Sequence, residues 1–171
     1  MIPRYSQGQI SKIWTDKNRY EIWFQIEVLV CEKLYIDKKI SKKDFLQIKK
    51  KGKVDVEDIQ KLDRKTHHEV IAFLNSISKK IGKSARHIHQ GITSSDIIDT
   101  AFSIQLKQSS EILIKDITQL LKALKTKAYK YKKTICLGRT HGIHAEPTTF
   151  GLKIAGFYAE MERNLERLKK T

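Results

Sequence analysis

Residues 139–151 read RTHGIHAEPTTFG, which places a cation, three hydroxyls, two imidazoles, a carboxylate and two glycines in thirteen positions. Helix packing does not require this mixture, so the stretch is a candidate functional site. Gly142 permits backbone conformations that other residues avoid, and Pro147 suits the first turn of a helix because its missing N–H is no loss there. We therefore expect a loop that carries His141, followed at once by a helix over residues 147–170.

The histidine of this loop is a candidate proton donor or acceptor, because imidazole titrates near neutrality. Two plainer explanations stay open. His141 could be a structural loop residue, or it could bind a metal together with His144, three residues further on. The chain has only two cysteines and no third ligand at metal-like spacing, which argues against zinc. We expect neither a metal nor a cofactor.

Two further polar clusters precede this loop. The first is THHE at residues 66–69, and the second is HIHQGITSSD at residues 87–96. The side chains of residues 93–96 suit the cap of a helix, and the free N–H groups of a helix N-terminus also suit the carboxylates of a ligand. Capping and simple surface exposure are the plainer explanations. Near the N-terminus, Arg4 and Tyr5 are either surface residues or a guanidinium and a phenol that face a phosphate.

The spacing of apolar residues predicts an all-α chain. It indicates a helix over residues 16–36 with Asp16 as the N-cap, shorter helices that begin at Ser41 and Asp55, and one that ends near Gly82. The longest helix is expected over residues 94–133. At about 1.5 Å per residue this rod is roughly 60 Å long, so its apolar stripe needs a bundle formed with other subunits. We therefore predict a helical N-terminal domain at residues 1–93 and the start of a long-helix bundle at residues 94–171.

Composition limits the class of protein. No run approaches the roughly 20 apolar residues that cross a bilayer, and the first residues lack the apolar core of a signal peptide. Cys31 and Cys136 lie far apart in the chain, which is typical of buried or incidental thiols in a reducing compartment. We therefore expect a soluble, cytoplasmic protein.

The net charge of +15 allows a different class, the nucleic-acid-binding proteins. The most basic tract lies at residues 122–133, where six lysines occur without an acidic residue among them. Apolar residues are interspersed with these lysines as in an amphipathic helix, and the chain has no arginine-rich arm or aromatic stacking platform. We expect no nucleic-acid partner, and a basic, non-catalytic helical module that binds nucleic acid remains the alternative.

Taken in order, the motifs resemble those of the adenylosuccinate lyase family, within the fumarase/aspartase superfamily. The resemblance runs from RYS at residues 4–6 and IWTD at 13–16, through TSSD at 93–96 and the histidine block at 139–151, to ERNLER at 162–167. It implies an N-terminal helical domain followed by the first helices of a central bundle. It also implies a C–N lyase of purine synthesis that releases fumarate from adenylosuccinate, giving AMP, and from succinylaminoimidazole carboxamide ribotide.

The resemblance assigns chemical roles to single residues. It makes His141 the general acid that protonates the departing nitrogen, and Thr140 beside it a contact to the succinyl group. His68 matches a second active-site histidine that orients and polarises the substrate. Thr93 and Ser94 match contacts to the succinyl carboxylates.

Further substrate-binding positions follow from the same resemblance. Arg4 and Tyr5 match contacts to phosphate and ribose, and His89 lies close to the segment that holds the carboxylates. His67 and Glu69 stand where the family commonly has arginine and aspartate. The histidine at position 67 lacks the permanent charge and the paired donors of arginine, so this part of the site departs from the family pattern.

Family members are more than twice this length, and their catalytic serine lies on a flexible downstream loop that nothing in this sequence matches. The resemblance therefore implies an N-terminal portion that is inactive alone. It further implies a homotetramer in which three subunits build each active site around a small nucleotide substrate. The alternatives within the helical class are another lyase of the superfamily and a non-catalytic assembly module.

Overall fold

The computed structural model describes residues 2–6 and 8–170. Within them the chain forms seven α-helices, two short 3-10 helices at Pro3–Tyr5 and Gly82–His87, and one β-hairpin. Helices dominate, which confirms the predicted all-α class. In chain order the elements are α1 (Gly8–Ile13), α2 (Asp16–Ile36), α3 (Lys42–Lys51), α4 (Val56–Thr66), α5 (Glu69–Ile81), α6 (Ser94–Lys130), β1 (Ile135–Thr140), β2 (Ile143–Thr149) and α7 (Phe150–Lys170).

The first helices begin where side-chain caps satisfy free backbone N–H groups. The predicted helix starts at Ser41 and Asp55 are confirmed, because each side chain caps its helix by accepting a hydrogen bond from the N–H three residues further on, at 3.0 and 3.1 Å. The predicted cap of α2 is wrong by one residue. Thr15 has the extended backbone of an N-cap and accepts from the N–H of Asn18 at 3.2 Å, so Asp16 is already the first helical residue.

The core of the N-terminal helices is built around an aromatic cluster. Trp23 on α2 meets Phe73 on α5 edge to face, with ring centroids 5.4 Å apart and planes at 89°, and Tyr20 contacts both rings. Such aromatic pairs contribute about 0.5–1.5 kcal/mol beyond the area they bury. Other fully buried apolar side chains surround this cluster: Ile48, Ile59, Ala72, Ile77 and Ile97.

The chain divides into two compact units, Met1–Gln108 and Ser109–Thr171. The first turns of α6 belong to the first unit, where Gln105 donates from Nε2 to the carbonyl of Ile13 at 2.8 Å. Asn18 donates from Nδ2 to Oε1 of Gln108 at 3.2 Å and to the same Ile13 carbonyl at 2.8 Å. These bonds fix the start of α6 against the end of α1, which positions the loop that precedes α6.

The second unit contains the one clear failure of the sequence-based prediction of secondary structure. Residues 135–149 form an antiparallel hairpin, and α7 begins at Phe150 rather than at Pro147. Pro147 lies in β2 opposite Leu137, next to an irregularity in the register. A two-stranded hairpin has only edge strands, and an edge strand tolerates the missing N–H of proline. The helix α6 ends at Lys130, three residues before its predicted end, because residues 131–133 form the turn that leads into β1.

Gly151 lets α7 start directly against the end of α6. Its N–H donates to the carbonyl of Tyr131 at 2.9 Å. A Cβ atom at this position would lie 2.5 Å from the carbonyl oxygen of Ala128 and from the Cα of Lys132, which is too close for any side chain. The approach of the two backbones therefore depends on glycine.

We predict opposite effects of alanine at two glycines of α7. Gly151→Ala should destabilise the protein by about 1–3 kcal/mol, because its Cβ would overlap backbone atoms that have no room to move. Gly156→Ala is the matched control, because nothing lies within 4 Å of its Cβ position. It should stabilise the helix by up to about 1 kcal/mol. The two midpoints of thermal unfolding test this, and a Gly151→Ala protein as stable as wild type would contradict the packing.

Several apolar side chains of the long helices remain exposed on this chain. Leu106, Leu113 and Leu120 of the near-heptad stripe on α6 are 40–45% exposed, and on α7 Leu152 is 66% exposed. The predicted stripe is therefore present, and the described residues leave it uncovered. No helix in the described part of the chain is long and apolar enough to cross a membrane.

Candidate functional site

The candidate site residues lie in four places. The first unit holds three of them: Arg4 and Tyr5 in the N-terminal 3-10 helix, the histidine junction at residues 66–69, and the His89 loop at residues 88–94. The second unit holds the fourth, the His141 turn at residues 140–143. Each of these segments connects or ends regular elements, which is where binding side chains are usually carried.

The His141 turn is a tight two-residue connection between β1 and β2. Thr140 pairs with Ile143, and the two residues between them have positive φ angles, 48° at His141 and 76° at Gly142. This is the pattern of a type I′ turn, which matches the twist of the flanking strands. The imidazole of His141 is exposed, and among the described residues it has no hydrogen-bond partner. The hairpin thus holds a free imidazole on a rigid turn.

The histidine junction separates α4 from α5. His67 ends α4 in the left-handed region, at φ 49°, and its N–H donates to the carbonyl of Asp63 at 2.8 Å. His68 is the N-cap of α5, and its Nδ1 accepts from the N–H of Ile71 at 3.4 Å. An accepting Nδ1 carries no proton, so Nε2 is the nitrogen of His68 that can donate. Both side chains are exposed, and this capping role was not predicted from the sequence.

Glu69 is engaged by protein partners. Its two carboxylate oxygens accept hydrogen bonds from the guanidinium of Arg19, and one of them also accepts from the Tyr20 hydroxyl at 2.7 Å. The Arg19 guanidinium lies 4.9 Å from the ring centroid of Tyr20 and 5.5 Å from that of Trp23. Burial raises the pKa of the Tyr20 phenol, and its hydrogen bond to Glu69 raises this pKa further. Glu69 thereby ties the start of α5 to α2, through two residues that sequence reasoning did not single out.

The His89 loop is tied to α2 in a similar way. His89 has a φ of 59°, its N–H donates to Glu27 Oε2 at 2.8 Å, and its Nδ1 lies 2.8 Å from Glu27 Oε1. Glu27 is fully buried, at 0% exposure. At the end of the loop the N–H of Thr93 donates to the carboxylate of Asp96 at 2.8 Å. Thr93 and Ser94 therefore stand at the start of α6, where the helix dipole favours an anion.

Arg4 and Tyr5 lie side by side in the N-terminal 3-10 helix. The guanidinium carbon of Arg4 is 5.0 Å from the ring centroid of Tyr5, and both residues are exposed. Their polar groups are thus open to solvent, as a role in binding a phosphate or a hydroxyl requires.

Three cavities formed by the described residues have the size of a small-molecule site, and the smallest, of about 360 Å³, is lined by residues of α2 and by Lys49 of α3. A second, of about 390 Å³, lies in the first unit beside the Arg19–Glu69 pair and includes Trp14, Trp23 and Phe102 in its lining. The third, of about 530 Å³, lies in the second unit between the end of α6 and the start of α7, with an apolar lining that includes Ala128 and Leu152. None of the candidate histidines lines any of these three cavities. His67, His68 and His141 are exposed, whereas His89 is partly buried, with 21% of its side chain exposed.

The described residues bring together no group of three or more side chains that could hold a metal ion. His144 lies on β2 opposite Arg139. Both cysteines are free thiols, and burial raises the pKa of the Cys31 thiol to about 11, with a smaller contribution from Glu27. Cys31 is therefore protonated and unreactive at neutral pH.

We predict that Arg19 and Glu69 are energetically coupled. Because the two side chains are 32% and 35% exposed, a double-mutant cycle of Arg19→Met and Glu69→Gln should give a coupling free energy of about 0.5–1 kcal/mol from thermal unfolding. The Lys17–Glu21 pair on the same helix is the control. Its charged atoms are 3.9 Å apart and its side chains 75% and 49% exposed, so its coupling should be near zero. Equal coupling in both pairs would contradict a structural role for Glu69.

Comparison with known proteins places this chain in a family. The family model described as "Lyase" matches residues 4–171, so the chain belongs to that family of lyases. Over 170 residues the chain is 46% identical to the adenylosuccinate lyase of Staphylococcus saprophyticus subsp. saprophyticus, a match that covers 99% of this chain. The chain spans only 39% of the length of that relative.

Solved structures support the same fold. The chain is similar to a fumarate lyase from Mesorhizobium sp. BNC1, with a TM-score of 0.85 over 94% of this chain and 39% of that one. It is also similar to a 3-carboxy-cis,cis-muconate lactonizing enzyme from Pseudomonas putida, with a TM-score of 0.89 over 99% of this chain and 41% of that one. Both are 22% identical in sequence, so these two likenesses concern the fold alone.

Proposed function

We propose that the whole protein is an adenylosuccinate lyase that eliminates fumarate from adenylosuccinate, giving AMP, and from succinylaminoimidazole carboxamide ribotide. The observation that carries this proposal is the 46% identity to an adenylosuccinate lyase across 99% of this chain. The matched region covers all four places where the candidate site residues lie. The proposal concerns the whole protein, because the chain spans 39% of that relative.

The chemistry is a β-elimination. A base removes a proton from the β-carbon of the succinyl group, negative charge develops on the adjoining carboxylate, and the C–N bond breaks as an acid protonates the nitrogen. In our proposal His141 is the acid, since its imidazole is exposed, without a partner among the described residues, and held on a two-residue turn. Thr140, which precedes it, contacts the succinyl group.

The remaining candidates bind and orient the substrate. We assign Thr93 and Ser94 to the succinyl carboxylates, because the N-terminus of α6 favours anions there. His68 polarises the substrate through Nε2. The other substrate contacts are Arg4, Tyr5, His67 and His89. Glu69 holds the histidine junction against α2, because its oxygens already accept hydrogen bonds from Arg19 and Tyr20.

We further propose that the protein works as a cytoplasmic homotetramer without a cofactor, with each active site shared between subunits. Two features support the shared site. In the described part of the chain the candidate histidines line none of the three cavities, and the apolar stripe of α6 is exposed at Leu106, Leu113 and Leu120. A helix that leaves such a stripe uncovered packs against further helices of a bundle. In this proposal residues 94–171 begin that bundle, and the catalytic base comes from chain that lies beyond them.

The sharpest test of His141 is replacement by asparagine in the full-length protein. Asparagine followed by glycine favours the type I′ turn, so His141→Asn keeps the hairpin and removes only the imidazole. Loss of a general acid should lower kcat for fumarate release by about 10²–10⁴-fold. The matched control is His144→Asn, three residues away on the exposed face of β2, which should retain nearly full activity. Equal rates for the two variants would refute the assignment of His141.

The wild-type assay also separates the alternative functions. An enzyme that releases fumarate only from argininosuccinate would be another lyase of the superfamily. A basic nucleic-acid-binding module would instead show binding to DNA or RNA that weakens steeply with salt and survives His141→Asn. All six lysines of residues 122–133 are exposed, so this binding is measurable by fluorescence anisotropy against a labelled oligonucleotide.

A further inference from the structure

Glu27 is a fully buried acid that the proposed mechanism does not use. It lies in the interior of α2, at 0% exposure, and His89 supplies both of the hydrogen bonds that the structure gives its carboxylate. A buried carboxylate is costly unless its oxygens are paired. His89 lies 62 residues away in the chain, in the loop that leads to α6. The pairing therefore accounts for an acid at a position where an apolar side chain would otherwise be expected.

We propose that Glu27 is a positioning residue that keeps a proton on Nδ1 of His89, so that Nε2 faces the substrate. The inference rests on the proposed function only where it concerns catalysis. The backbone N–H of His89 is always a donor, so it fixes Oε2 of Glu27 as an acceptor. Oε1 is the other oxygen of the same carboxylate, and it lies 2.8 Å from Nδ1, within reach of an Nδ1–H.

The other ring nitrogen of His89, Nε2, is available to bind the substrate. Among the described residues Nε2 of His89 has no hydrogen-bond partner, and the side chain is 21% exposed. His89 also has a left-handed backbone, at φ 59°, which is uncommon for a residue other than glycine. The two bonds to Glu27 hold both this backbone and the ring orientation. They thereby fix the direction of Nε2 on the loop that also carries Thr93 and Ser94.

Glu27→Gln tests the proposal, because an amide has one acceptor and one donor end. The N–H of His89 requires the amide oxygen, so the amide NH₂ must face Nδ1 and donate to it. Nδ1 then loses its proton, and Nε2 becomes a donor in a neutral ring. We expect the ¹⁵N NMR signal of His89 Nδ1, measured on the labelled full-length protein by magic-angle spinning, to change from the protonated to the unprotonated form. His89→Asn assigns the signal by its absence.

The kinetic result should follow the tautomer. In Glu27→Gln the Nε2 atom donates to the substrate instead of accepting from it. We therefore expect kcat/KM for fumarate release to fall by about tenfold to a hundredfold. Cys31→Ala is the matched control: Cys31 lies one turn further along α2, is buried to the same degree and contacts the carbonyl of His87, two residues before His89. It should leave both the Nδ1 signal and kcat/KM nearly unchanged. A Glu27→Gln protein with a protonated Nδ1 or with the kinetics of Cys31→Ala would overturn the proposal.

If Glu27→Gln does not fold, the ¹⁵N NMR signal of His89 Nδ1 in the wild-type protein tests the proposal by itself. A protonated Nδ1 at neutral pH supports the proposal, whereas a bare Nδ1 that accepts from a protonated Glu27 overturns it. Failure of the proposed function is a separate outcome. In that case wild type releases no fumarate, while the Nδ1 signal still reports whether Glu27 sets the tautomer of His89.

Discussion

Left-handed backbone at three histidines is the constraint on which the candidate site depends. Among the described residues only four that are not glycine have positive φ angles, and three of them are His67, His89 and His141. This region costs an ordinary residue about 1–2 kcal/mol, so each position needs a compensating interaction. His67 is held by the carbonyl of Asp63 and His89 by Glu27, while His141 shares its turn with Gly142. Such strain is typical of sites where geometry matters more than local stability.

The helix α2 connects the core of the first unit to its polar clusters. One part of its surface packs Trp23 into the aromatic core, while Arg19 and Glu27, about two turns apart, reach toward the chain segments that carry His68 and His89. A substitution on α2 can therefore change the site without touching a substrate. Arg19 and Glu27 each have hydrogen-bond partners in place, which offsets the cost of removing these polar groups from water.

The exposed apolar stripe and the surface histidines belong together in the proposed assembly. The apolar stripe of a long helix stays exposed unless other helices pack against it. The chain spans about two fifths of the length of its curated relative. A site shared between subunits gives both features one explanation. The family is established by a match over residues 4–171, whereas the shared site is argued from exposed side chains.

The sequence by itself determined the helical class, most helix boundaries and the positions of the polar clusters. Those features depend on local signals, such as a capping hydroxyl at Ser41 or the spacing of apolar residues, and local signals are readable within a few positions. The β-hairpin around His141 was missed because Pro147 suits a helix start as well as an edge strand. The partners of Glu69 and His89 were decided only by the tertiary structure. Arg19 lies 50 residues from Glu69, and Glu27 lies 62 residues from His89. Contacts at such separation arise from the packing of the helices, which no spacing along the chain encodes.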